Sequence, residues 1–150
     1  MLAPGDSAPP FALSDQHGTT LSLADLAGRK VLVFFYPRAD TPGCTTQACG
    51  LRDVAGRIGT TAIVGISTDK PAKQLKWAIK HGIGYPLLAD VDHTVAEAYG
   101  VWVEKTMYGK VSMGTLRSAF LIDEHGRIAH AWYKISPADT PTNLLAALGA

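Results

Sequence analysis

Lys30-Val-Leu-Val-Phe-Phe-Tyr36 is a nearly unbroken β-branched and aromatic run, and Pro37 closes it. Its length and its lack of apolar–polar alternation predict a strand buried on both faces of an α/β sheet. Downstream, Arg38 to Gly43 reads as a loop leading into a helix over about Cys44 to Arg57. Thr61–Ser67 (TAIVGIS) is a second buried strand of the same kind. Pro71 to His81 has helical spacing, with Pro71 suited to a first turn. Pro86–Ala89 reads as a short strand, and Thr94 to Tyr99 as a short helix. Leu116–Ile122 and Arg127–Tyr133 form a strand pair turned by Asp123-Glu-His-Gly126. Thr140 to Leu148 closes the chain as a helix.

Upstream, Phe11–Leu13 and Thr20–Leu23 flank Asp15-Gln16-His17-Gly18 and read as a small hairpin. A short helix follows, capped by Ser22 and stopped by Gly28. The order begins β-α-β-α and ends β-β-α, which implies right-handed crossovers, parallel strands and an antiparallel addition. The expected fold class is α/β: a thioredoxin-like mixed sheet flanked by helices, with an N-terminal β-hairpin extension, in one domain over residues 1–150.

Composition narrows the function classes. Hydrophobic residues make up 47%, charged residues 18%, and the formal net charge is +1. There is no basic run or arginine-rich arm, so no nucleic-acid partner is expected. Val31 to Tyr36 is far short of the roughly 20 apolar residues of a membrane helix, and the N-terminus has no basic or apolar leader pattern. No membrane association and a cytoplasmic location are expected. Two cysteines do not make a disulfide scaffold; they are either redox or metal groups or small buried hydrophobes. No C-x-x-C, no histidine pair at ligand spacing, no G-x-G-x-x-G and no P-loop occurs, so no metal, haem, flavin or nucleotide cofactor is expected.

Cys44 follows a strand and a Pro-Gly loop and should open the next helix. Unpaired N–H groups and the helix dipole favour negative charge there, and the thiolate is the nucleophilic form of cysteine. Pro37, Thr41 and Cys44 stand in the spacing P-x-x-x-T-x-x-C, within Tyr36-Pro-Arg-Ala-Asp-Thr-Pro-Gly-Cys-Thr-Thr-Gln-Ala-Cys49. This resembles the peroxiredoxin active-site motif, most closely that of the bacterioferritin comigratory protein (PrxQ) subfamily. The likeness extends through Asp6-Ser-Ala-Pro-Pro-Phe11, Val64-Gly-Ile-Ser67, Leu88-Ala-Asp90, Tyr99-Gly-Val-Trp102 and Arg117-Ser-Ala-Phe-Leu-Ile-Asp123, covering most of residues 4 to 135.

The resemblance implies a thiol peroxidase that reduces hydrogen peroxide and organic hydroperoxides. It implies that Cys44 attacks peroxide, that Thr41 orients it, that Pro37 shields the site, and that Arg117 reaches the thiolate. Alone, Arg117 would read as a surface ion-pair residue and Thr41 as a turn or cap. Cys49 is implied as the resolving cysteine, with thioredoxin or a similar dithiol as reductant; the alternative is a buried spectator. In an ideal helix, five residues separate Cα atoms by about 8.6 Å, beyond the roughly 6.8 Å limit for a disulfide. The helix must therefore unwind if Cys44 and Cys49 are to join. Intramolecular resolution needs no second subunit, so a monomer is expected, with a weak dimer as the alternative.

The chain departs from the subfamily at Gln47, where relatives often carry Glu, and at Ile135-Ser-Pro-Ala-Asp139, where an altered loop is expected. Two other readings stay open: a thiol–disulfide oxidoreductase on the same fold, which normally needs C-x-x-C, and a non-catalytic redox sensor.

Overall fold

A computed structural model describes residues 1–150. The buried run forms β3 (Val31–Phe35), the centre of a five-stranded sheet. Its parallel neighbour is β4 (Ala62–Ser67), followed by β5 (Leu87–Ala89) at one edge. On the other side β8 (Ser118–Ile122) pairs antiparallel with β3, and β9 (Ile128–Trp132) forms the second edge.

The run is apolar on both faces because each face has its own core. Leu32, Phe34 and Tyr36 point to one side, with Trp77, Leu121 and Leu144. Val31, Val33 and Phe35 point to the other, with Val64, Ile66 and Phe120. Every residue from Val31 to Tyr36 is at most 1% exposed; each large side chain so buried contributes about 1.5–3 kcal/mol. On the first face, a Cβ at Gly65 would come within 2.9 Å of both Phe34 and Leu87, so only glycine fits there.

Helices α1 (Pro42–Val54), α2 (Pro71–His81) and α4 (Asp139–Leu148) cover the first face, and α3 (Thr94–Ala98) belongs to the second. The expected N-terminal hairpin is β1 (Ala12–Ser14) and β2 (Thr20–Ser22). The short helix after it is a 3-10 turn over Leu23–Leu26, with the Ser22 N–H donating to Asp25 at 2.9 Å.

Two details differ from the sequence reading. The first helix begins at Pro42, not Cys44: Thr41 is extended, and proline, with its fixed φ and no N–H to leave unpaired, suits the first helical position. A second hairpin also lies where no strands were expected, β6 (Trp102–Met107) and β7 (Lys110–Thr115). Its turn residues, Tyr108 and Gly109, both have positive φ, as a two-residue hairpin turn requires.

Candidate active site

The loop leaving β3 is fixed before the helix begins. The Ala39 N–H donates to the Asp69 carboxylate at 2.6 Å, and the Ser67 hydroxyl donates to the same oxygen at 2.8 Å. Thr41 ends the loop, its hydroxyl donating to the Arg38 carbonyl at 2.8 Å. That bond uses the hydroxyl proton and leaves the oxygen free to accept. Cys44 then falls at the third helical position, one of those whose N–H groups have no helical acceptor. It is 1% exposed.

Arg117, just before β8, reaches Cys44 across the sheet end. Both terminal nitrogens, Nη1 and Nη2, donate to Sγ at 3.5 Å. Nη1 also donates to Gln47 Oε1 at 2.7 Å. The guanidinium fork and the N-terminal end of α1 both face the sulfur. The approach depends on Gly43: a Cβ there would sit 3.1 Å from Nη2.

Gln47 was identified in the sequence only as a departure from relatives, with no assigned role. It is fully buried, and its Nε2 donates to Thr140 Oγ1 at 3.0 Å, while that hydroxyl donates to the Ser136 carbonyl at 3.0 Å. The Ile135 N–H donates to the Arg117 carbonyl at 2.9 Å. The departing segment after Trp132 therefore braces the arginine from two directions.

Above Cys44 lies a cavity of about 580 Å³, whose walls include Pro37, Thr41, Cys44, Arg117, Lys105 and Met113. The structure thus brings together four of the five expected site residues. Lys105 and Met113 come from the unforeseen hairpin, for which the Tyr108-Gly109 turn was the available signal. Burial, and then the charge of Arg117, hold the Lys105 ammonium below the usual lysine range, partly opposed by charge on Cys44.

Cys49, the fifth, is half-buried and lies away from that cavity within the same continuous helix; both thiols are free. The segment between them is held from outside. The Tyr85 hydroxyl donates to the Ala48 carbonyl at 2.8 Å, and the Trp77 indole donates to the Thr45 hydroxyl at 3.1 Å. Burial, and then charge on Cys49, push the Tyr85 hydroxyl up, keeping it a donor.

Residues 4–131 match the AhpC/TSA family model. Peroxiredoxin Bcp of Escherichia coli is 49% identical over 133 residues, 87% of this chain and 85% of that protein. The chain belongs to the AhpC/TSA family. Among solved structures, peroxiredoxin Q of Xanthomonas campestris is 34% identical with a TM-score of 0.88, covering 93% of this chain and 90% of that one. Another structure of the Xanthomonas bacterioferritin comigratory protein, 33% identical with a TM-score of 0.88, concerns alkyl peroxide reduction and covers 93% of this chain and 90% of that one. This peroxiredoxin is an oxidoreductase, a thiol peroxidase, and takes electrons for peroxide reduction from a thiol reductant. No helix in it is long and apolar enough to cross a membrane.

Proposed function

We propose that Cys44 is the peroxide-attacking residue and Cys49 the one that resolves its oxidised form. The Cys44 thiolate attacks one peroxide oxygen in line with the O–O bond. An S–O bond forms, the O–O bond breaks, and the leaving alkoxide or hydroxide takes a proton to become alcohol or water. Sulfur is left as a sulfenic acid. Cys49 then displaces its hydroxyl as water, giving a disulfide, and an external dithiol restores both thiols by exchange. Thioredoxin, or a reductant like it, is the donor in this reading.

The observation that carries it is the double contact of Arg117 on the Cys44 sulfur, beside a threonine hydroxyl able to accept from the peroxide. In-line displacement depends mainly on such positioning. Pro37 lines the mouth and limits water. The cavity, at about 580 Å³, far exceeds the space for hydrogen peroxide, since a water claims only about 30 Å³. Organic hydroperoxides therefore belong among the substrates, as in the Xanthomonas relative. Intramolecular resolution supports a monomer, and two cysteines in 150 residues, too few for a disulfide scaffold, fit a reducing, cytoplasmic location.

One equivalent of hydrogen peroxide should consume both thiols of the reduced protein and leave a monomeric, thioredoxin-reducible disulfide. Cys44→Ser should abolish the reaction. Cys49→Ser should stop at a sulfenic acid, visible by mass spectrometry as one added oxygen. Undiminished peroxide turnover in Cys44→Ser would refute the assignment.

A further inference from the structure

Three cations line the cavity over Cys44, namely Arg38, Lys105 and Arg117, and no carboxylate does. They are not equivalent. Arg117 is committed to the sulfur and to Gln47. Arg38 is exposed. Lys105 is half-buried, and none of the chain's ion pairs includes it. Its neighbour Glu104 falls on the opposite face of the hairpin, because successive strand residues alternate.

The lysine has a shaped bed. Its Cδ, Cε and Nζ lie 3.1, 3.3 and 3.6 Å from where a Cβ of Gly114 would be. The missing side chain on β7 thus lets the lysine stem lie across the hairpin at the cavity wall. Met107, 66% exposed and on the same face of the hairpin as Lys105, forms an apolar margin beside it. An uncompensated ammonium next to a flexible apolar side chain suits a molecule that is part anion and part hydrocarbon.

We infer that Lys105 recognises an anionic group on the substrate, so that the cavity favours organic hydroperoxides bearing a carboxylate over neutral ones of the same size. The inference rests on the proposed function of Cys44 and adds a specificity-determining residue to it. The lysine ammonium pairs with the carboxylate while the peroxide end reaches sulfur, and Met107 covers part of the carbon body. Chemistry at the O–O bond is the same for both substrates, so the preference lies in binding and appears in KM more than in kcat.

Cumene hydroperoxide and its para-carboxylate derivative differ in charge but not in the reacting group. Wild-type protein should turn over the carboxylate with a kcat/KM about fivefold higher, the scale of a partly exposed ion pair. The ratio should shrink toward one in Lys105→Met, chiefly through KM, and persist in Lys105→Arg. Gly114→Ala, which keeps the charge but displaces the stem, should give an intermediate ratio. Roughly 1 M salt should erase the preference, because screening at that strength acts within about 3 Å. Equal kcat/KM for the two substrates in wild type, or a ratio untouched by Lys105→Met, would overturn the inference. Failure of wild type to consume either compound or hydrogen peroxide would instead count against the proposed function.

Discussion

Arg117 divides one guanidinium between two acceptors, the Cys44 sulfur and the Gln47 amide oxygen. Sulfur is a weak acceptor, so the shorter bond to Gln47 fixes where the fork points. The amide is in turn held by Thr140, 93 residues away in sequence. Replacing Gln47 with Ala removes that hold and leaves a buried cavity beside the arginine. The second-order rate of Cys44 oxidation should fall about tenfold, since misdirecting one of two preorganised donors costs less than the roughly 10²-fold of deleting one. Stopped-flow measurement of peroxide loss would test this; an unchanged rate with intact folding would show that Gln47 does not position Arg117. This is also where sequence reading reached its limit. Pro37, Thr41 and Cys44 are legible because one loop carries them in fixed spacing. Arg117 had meaning only through family resemblance, and Gln47 had no legible role because both its partners come from the distant end of the chain.

At the scale of the element, α1 carries two thiols that it keeps apart. In the intact helix their Cα atoms stand about 8.6 Å from each other, so disulfide formation requires at least a turn to open. The opening breaks the contacts of Tyr85 with Ala48, Trp77 with Thr45, and Gln47 with Thr140. Each is worth about 1 kcal/mol, and together they set how often the segment opens. Tyr85→Phe deletes one of them while keeping the ring in place. Disulfide formation after peroxide addition should then accelerate about fivefold, from that energy, with no change in the first oxidation step. Quenched-flow thiol counting separates the two rates, and a resolution step no faster than wild type would show that this clamp does not limit opening. The helix itself was legible in the sequence, with its start displaced by two residues because Pro42 has the same aptitude for a first turn as Pro71. The hairpin of β6 and β7 was missed because only its base, at Trp102, packs against a core: the rest is a mostly exposed polar–apolar mixture beside the cavity, and only the Tyr108-Gly109 turn announced it.

The whole molecule is held by two cores on one sheet, and by carboxylates that pin the turns between elements. The cores were legible because burial on both faces of β3 leaves no room for polar residues; the turn carboxylates matter chiefly for how the fold responds to acid. Asp123, at the turn between β8 and β9, accepts from the Arg127 N–H at 3.0 Å and the His125 N–H at 2.9 Å. Those bonds, with that to Arg127 the larger influence, hold its carboxyl below the ordinary 3.8. Asp25, through Ser22, and Asp92, through Thr94, are lowered in the same way. For all three the folded state favours the charged form, so their contribution is complete above about pH 3.8 and is lost as pH falls through the lower folded values. Asp90 acts in the opposite sense. Burial raises its carboxyl against the pull of the Ala96 and Val95 N–H groups, so the folded state holds that proton more tightly and gains stability as pH falls toward the ordinary value. Three groups against one predict a net loss of stability below about pH 3.8. The thermal midpoint should therefore fall more steeply between about pH 4 and pH 3 in wild type than in Asp123→Asn. Asparagine can accept the same two turn hydrogen bonds but cannot take up the proton. Calorimetry of both proteins across that interval decides it: parallel decline would mean that Asp123 has no part in acid unfolding.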